Sequence, residues 1–261
     1  MKVLVSDKLS EQGIGILKKA GDIDINVKTG LTAEQLIAEI PKYDGLIIRS
    51  GTKVTANIIE AAKNLKVIGR AGIGVDNVDV DAASRKGIVV MNTPEGNIIT
   101  TAEHAIAMML SLARKIPQAN ASVKGKKWER GFMGIEVYNK TLGIIGLGRI
   151  GSIVASRAKG LSMNVIASDP FISKERASNL GVEVVELSEL FRRSDFISIH
   201  TPKTSETTYL IGEKEFAMMK KGVRIINCAR GGIINEKALY KAIKEKIVGG
   251  AALDVFEKEP V

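Results

Sequence analysis

The sequence predicts an α/β protein of two lobes, each a parallel sheet covered by helices on both faces. Two observations carry this. Short runs rich in Val and Ile alternate with helical stretches from the first residue onward, the pattern of successive βαβ units. That alternation is interrupted once, by a long amphipathic segment, and then begins again. With 261 residues, 45% of them apolar, the chain can bury a core in each of two lobes.

In order, KVLVSD at residues 2–7 reads as the opening strand, with a helix over Glu11 to Ala20 after it. DINVK and a helix from Thr32 to Ile40 follow, then GLIIRS with a helix from Thr55 to Ala62, then the strands in LKVIGRAG and GIVVMN. These make residues 1–95 the first lobe. From Thr100 to Arg114 apolar residues recur at helical spacing behind a threonine cap, a natural divider. The second lobe, 96–261, runs through KTLGIIGLGRIG, MNVIASD, FISIHTP, VRIINCARGG and GAALDVF. There is no internal repeat and no Gly/Ser tract, so helices rather than a flexible tether are expected to join the lobes.

Composition narrows the function. A net charge of +9 would suit nucleic acid if the cations clustered, yet the densest stretch, Lys124-Gly-Lys-Lys-Trp-Glu-Arg130, is short, includes an acid and holds one aromatic. Small anionic ligands account for the charge equally well, and no nucleic-acid partner is expected. No apolar run approaches the roughly 18 residues of a membrane helix, and the opening residues lack the pattern of a secretory leader. A single cysteine, Cys228, excludes an intrachain disulfide and leaves no metal-ligand spacing. The expected location is the cytoplasm, with no membrane partner and no metal.

The most specific local motif is Gly146-Leu-Gly148-Arg-Ile-Gly151. A strand over Thr141 to Ile145 precedes it and a helix from Ile150 to Gly160 follows. A second strand, Asn164 to Ser168, ends in Asp169. In this order Gly146 makes a tight turn, Gly148 lets the backbone approach a pyrophosphate, Gly151 lets helix pack on strand, and the helix N-terminus faces the anion. Asp169 then stands where a carboxylate accepts hydrogen bonds from an adenosine ribose. It would repel a 2′-phosphate, so NAD is expected over NADP. The second lobe is thus Rossmann-like and dinucleotide-binding.

Five segments carry a wider resemblance: Ile48-Arg-Ser-Gly-Thr-Lys-Val-Thr55, Gly69-Arg-Ala-Gly-Ile-Gly-Val-Asp-Asn-Val-Asp79, Met91-Asn-Thr-Pro-Glu-Gly-Asn97, Lys127-Trp-Glu-Arg-Gly-Phe-Met-Gly134 and Ile226-Asn-Cys-Ala-Arg-Gly-Gly232. Through them the whole chain resembles the D-2-hydroxyacid dehydrogenase family. The resemblance implies a first lobe that is the N-terminal part of a substrate domain and a second that binds NAD, both Rossmann-like, with the active site in the cleft between them. It implies oxidation of a small anionic 2-hydroxy acid, 3-phosphoglycerate in the branch it resembles closely, to 3-phosphohydroxypyruvate, opening serine synthesis. It also implies a homodimer paired through the long helix and Trp128 to Gly134.

By the same resemblance Arg230 is the catalytic arginine, whose fork suits a 2-oxo acid, and Glu259 is the catalytic acid. Alone, Glu259 in a Lys/Glu loop reads as solvated. Further cofactor contacts carry over onto Arg149, Ile150, Thr201, Cys228, Ala229 and Asp254, with Cys228 a packed neutral thiol for want of an activating partner. Substrate contacts carry over onto Arg49, Ser50, Arg70, the backbone of Gly72-Ile73-Gly74, and Asn97. Relatives often have a small hydroxyl residue at position 73. Arg49, Arg70 and Arg130, the last reaching in from a second subunit, are candidate phosphate ligands, although each taken alone reads as a surface residue. The family's histidine base lies beyond the position matching Glu259, past Val261. The second lobe is accordingly expected to lack its C-terminal end, and residues 1–261 alone are expected to bind NAD weakly and turn over little. His104 reads as structural, and His200 is a minor alternative base. Two competing functions stay open: a glyoxylate or hydroxypyruvate reductase, and an NAD-binding protein without turnover.

Overall fold

A computed structural model describes residues 1–261, the side chain of Lys174 excepted. The chain divides into two units, Met1–Asn97 and Ile98–Val261. In the first, strands β1 (Lys2–Val5), β2 (Asp24–Val27), β3 (Gly45–Ile48), β4 (Val67–Arg70) and β5 (Val89–Asn92) pair in parallel in the order β2-β1-β3-β4-β5. Helices α1 (Glu11–Lys19), α2 (Ala33–Glu39), α3 (Ala56–Ala61) and α4 (Val80–Arg85) connect them. Three of these start on a side-chain cap: the Ser10 hydroxyl, the Asp79 carboxylate, and a full capping box between Thr32 and Gln35. Each such cap contributes about 1 kcal/mol. Helix α4 goes unread in the sequence, because six residues including an Asp, a Ser and an Arg show no helical apolar period.

The core of this unit sets Leu4, Leu46, Ile48 and Ile68 against Leu36, Ile58 and Ile59, all fully buried. Each such side chain contributes about 1.5–3 kcal/mol by leaving water. From β1 the chain goes to β2 on one side and to β3 on the other. The crevice outside the carboxyl ends of β1 and β3 is therefore the switch point where ligands bind in open α/β sheets.

The second unit opens with α5 (Ile98–Arg114), which buries Ala102, Ala105, Met109 and Ala113 along one stripe. It begins before Thr100, so the expected threonine cap is corrected: Thr100 and Thr101 lie inside the first turn. A separate helix α6 (Ile116–Lys124) follows, with Pro in its first turn, after Lys115 turns the chain at φ 53°. Strands β6 (Thr141–Ile145), β7 (Asn164–Ser168), β8 (Glu183–Val184), β9 (Phe196–Ile199), β10 (Val223–Asn227) and β11 (Val248–Leu253) form one parallel sheet, ordered β11-β10-β9-β6-β7-β8. Between them run α7 (Arg149–Gly160), α8 (Lys174–Asn179), α9 (Leu187–Arg193), α10 (Glu213–Met218) and α11 (Glu236–Lys244).

Counted from β6, this is the 3-2-1-4-5-6 arrangement of a dinucleotide-binding sheet, spanning residues 141–253. One face buries Leu142, Ile144, Val154 and Ala158 with the α5 stripe, and the other buries Ile197, Ile199, Phe191, Phe216 and Leu239. Among the described residues no helix is long and apolar enough to cross a membrane.

Candidate active site

The glycine-rich turn sits where β6 hands over to α7, and each glycine meets a different constraint. Gly146 has φ +91°, and a Cβ there would press on the carbonyl of His200. At Gly151 a Cβ would overlap the Gly146 carbonyl, so only glycine lets α7 lie this close to β6. A Cβ on Gly148, by contrast, would meet nothing within 4 Å. Gly148 is the N-cap of α7, with no side-chain cap bond, and Arg149 and Ile150 open the helix behind it. An exposed, uncapped helix N-terminus with clear space before it holds N–H donors and a positive dipole end for an anion. These residues fit the pyrophosphate of a dinucleotide.

Asp169 follows β7, and its carboxylate is already engaged: it accepts from the Leu147 N–H at 2.7 Å and the Phe171 N–H at 2.8 Å. The first bond ties the glycine turn to the end of β7. A carboxylate accepts about four hydrogen bonds, so capacity for ribose hydroxyls remains. Thr201 lies just past β9, its amide beside Gly146. The neighbouring His200 bonds Ser198 Oγ through Nε2 at 2.8 Å, and burial holds its imidazole down to about 4. It is neutral at physiological pH.

The turn after β10 is built on Asn227, which is buried. Its Nδ2 donates to the Arg230 carbonyl at 2.9 Å, its Oδ1 accepts from the Ala229 N–H at 3.0 Å, and its own carbonyl accepts from the Asp254 N–H at 3.0 Å. One side chain thereby sets Ala229, Arg230 and the end of β11 together. The Arg230 guanidinium donates to the Ala229 carbonyl at 2.7 Å. Cys228 is buried with Sγ 3.5 Å from Met108 Sδ, and burial, with the Asp254 charge in addition, pushes its thiol up to about 12. It is a packed thiol, not a nucleophile.

Asp254 also faces His104 Nε2 at 3.5 Å. Gly231 packs its Cα against the Phe256 carbonyl, where a Cβ would overlap, and the Phe256 N–H donates to Glu259 Oε1 at 3.0 Å. Arg230 and Glu259 therefore border one corner of the sheet, the shared end of β10 and β11. Glu257 locks that corner through reciprocal bonds with Glu236 at the start of α11, at 2.8 and 2.5 Å.

In the first unit the other candidate residues gather at the carboxyl ends of β3, β4 and β5. Arg49 and Ser50 are exposed just past β3. Arg70 ends β4 and folds its guanidinium over Gly72, where a Cβ would overlap Nη1. The Gly72-Ile73-Gly74 loop is held by Asn92 Nδ2 donating to the Ile73 carbonyl at 2.6 Å and by the Thr93 N–H donating to the Gly72 carbonyl at 3.0 Å. Asn97, exposed, ends this unit. Arg130 belongs to the second unit, its guanidinium 5.9 Å from the Trp128 ring centre. The organising residues Asp7, Asn77 and Asn227 are not among those singled out from the sequence. A polar residue closing the strand pattern Val223-Arg-Ile-Ile226 is the one signal that would have marked Asn227.

Residues 106–261 match the family model described as D-isomer specific 2-hydroxyacid dehydrogenase, NAD binding domain. The chain belongs to that family. It is 58% identical over 261 residues to the D-3-phosphoglycerate dehydrogenase of Archaeoglobus fulgidus, covering all of this chain and 49% of that one. To the human protein of the same name it is 52% identical over 260 residues, covering 99% of this chain and 49% of the relative. The chain thus spans about half the length of the curated relatives it matches. Among solved structures, a D-lactate dehydrogenase from Aquifex aeolicus complexed with NAD and lactic acid aligns with a TM-score of 0.88 at 30% identity, covering 99% of this chain and 78% of that one. A glyoxylate reductase from Paecilomyes thermophila aligns with a TM-score of 0.90 at 31% identity, covering 100% and 83%.

Proposed function

We propose that this protein is an NAD-dependent dehydrogenase that oxidises 3-phosphoglycerate to 3-phosphohydroxypyruvate, the first step of serine synthesis. The observation that carries the reading is the corner at the ends of β10 and β11. There Asn227 fixes the turn bearing Arg230, beside Glu259 and in the same sheet as an open glycine turn that fits a pyrophosphate. Relatives named for this activity, at 52–58% identity, support the choice of substrate.

NAD supplies the hydride acceptor. Gly148, Arg149 and Ile150 hold its pyrophosphate on the N-terminus of α7, and Asp169 takes the ribose hydroxyls. Thr201, Cys228, Ala229 and Asp254 line the nicotinamide end, Cys228 and Ala229 by packing and backbone. Arg230 grips the carboxylate of the 2-hydroxy acid and draws charge onto the C2 oxygen as its proton leaves. Glu259 would orient the histidine base that takes that proton, which the family resemblance places past Val261. Arg49, Ser50, Arg70, the 72–74 amides and Asn97 hold the substrate's anionic groups, and Arg130 joins them from a second subunit.

The reading includes a homodimer, supported by Trp128 and Met133 at 79% and 84% exposed, which are costly apolar surfaces to leave in water. It also includes a cytoplasmic location, which one unpaired cysteine suits. Replacing Arg230 by Ala in a chain extended past Val261 through the family's histidine tests the assignment. Turnover should fall by at least about 100-fold, the usual cost of removing one charge-stabilising donor, while NAD affinity measured by calorimetry changes little. Activity within a few-fold of the parent overturns the role given to Arg230.

A further inference from the structure

The loop 49–52, which carries Arg49 and Ser50, is held from both sides by two side chains that do not belong to it. On one side Asp7, at the carboxyl end of β1, accepts with a single oxygen from the Arg49 N–H at 2.6 Å and the Thr52 N–H at 3.0 Å. On the other, Asn77 Nδ2 donates to the Arg49 carbonyl at 2.6 Å and the Thr52 carbonyl at 2.7 Å. Both peptide groups of each of these residues are thus fixed by an acceptor on one side and a donor on the other. Two carbonyls facing one amide group demand its nitrogen end, so the orientation of Asn77 follows from its partners.

Gly51 completes the fit: a Cβ there would stand 2.6 Å from Asp7 Oδ1. The buried Ser6 hydroxyl, 2.8 Å from Thr52 Oγ1, closes the same end. Asn77 is itself anchored by a two-stranded bridge, in which the Val54 N–H donates to its carbonyl at 2.7 Å and Val54 pairs with Val78. The Arg49 side chain, by contrast, stays exposed. The backbone is held on both sides while the guanidinium, exposed and donating only a long 3.4 Å bond to the Lys8 carbonyl, faces solvent, as a residue built to receive an anion requires.

We propose that Asp7 and Asn77 are positioning residues of the substrate site, setting where the Arg49 guanidinium and Ser50 meet an anionic group of the substrate. The inference rests on the substrate role of Arg49 under Proposed function. An acid beside a phosphate-binding arginine would ordinarily weaken it. Here one oxygen of the Asp7 carboxylate is taken by two backbone amides, so the acid supports the loop. A residue that positions a group binding the substrate equally in ground and transition states alters KM and not kcat.

Steady-state kinetics of the intact protein test this. Asp7→Ala and Asn77→Ala should each raise KM for 3-phosphoglycerate by about tenfold, equivalent to about 1.4 kcal/mol, with kcat and the KM for NAD within about twofold. Asp7→Asn, which keeps an oxygen able to accept both amides, should restore the parental KM. An unchanged phosphoglycerate KM in both Ala variants overturns the proposal, and so does an equal rise in the KM for NAD. If either variant fails to fold, amide exchange in the parent decides: protected Arg49 and Thr52 amides support the clamp, and amides exchanging as in an open loop overturn it. A parent that does not oxidise 3-phosphoglycerate removes the substrate reading, and this inference with it. A parent that does, with unaltered Ala variants, removes this inference alone.

Discussion

Asp169 has two tasks that compete for one carboxylate. Its bonds to the Leu147 and Phe171 amides keep the glycine turn in register with β7, and under the proposed function its remaining lone pairs would take ribose hydroxyls. Asp169→Ala should therefore lower NAD affinity and narrow the preference for NAD over NADP, which titration of both cofactors would measure. Equal affinity for the two in the parent protein contradicts the assignment. His200 gives a pH prediction. Its ordinary value near 6.5 falls to about 4 through burial, so between those limits the unfolded chain binds a proton that the folded chain refuses. The stability this group provides is complete above about pH 6.5 and is lost as pH falls toward 4, each tenfold in proton affinity being about 1.4 kcal/mol. Urea melts across that range should show the decline, and His200→Asn should flatten it.

At the scale of elements, the glycine turn was legible because each glycine answers to a constraint within a few residues: a positive φ, a clear approach, a close helix. Gly151→Ala places a methyl against the Gly146 carbonyl and should cost about 1–3 kcal/mol together with NAD affinity; a melting temperature equal to the parent's would show that α7 can retreat. Strands Thr141–Ile145 and Asn164–Ser168 were readable to the residue, because a strand covered on both faces is a run of apolar residues with sharp ends. Helices α4 and α6 and the two-residue strand β8 were not, being short, polar or both. The clamp on loop 49–52 was invisible for another reason. Asp7 lies 42 and 45 residues from its partners, and Asn77 lies 28 and 25 from its own, distances that only the sheet order closes. Asn227 is closer to its partners, and Asn227→Ala would leave the Ala229 amide without its acceptor, costing about 1–3 kcal/mol and loosening Arg230. A fall in kcat exceeding any change in NAD affinity is the expected readout.

For the molecule as a whole, two parallel sheets and the family match define a dehydrogenase, and the proposed homodimer would cover the exposed Trp128 and Met133. Light scattering of a dilute sample should give a dimer, and Trp128→Ala with Met133→Ser should shift it toward monomer. A clean monomer that binds NAD fully contradicts that part of the account. The central claim concerns substrate, because Arg49 and Arg70 beside a glycine loop suit a substrate with two anionic groups better than a smaller 2-oxo acid with one. The most direct test is a side-by-side measurement on the intact protein of kcat/KM for 3-phosphoglycerate with NAD and for glyoxylate and hydroxypyruvate with NADH. 3-Phosphoglycerate should be used, and Arg49→Ala should weaken its use far more than that of glyoxylate. Rapid glyoxylate reduction with no phosphoglycerate oxidation would contradict it.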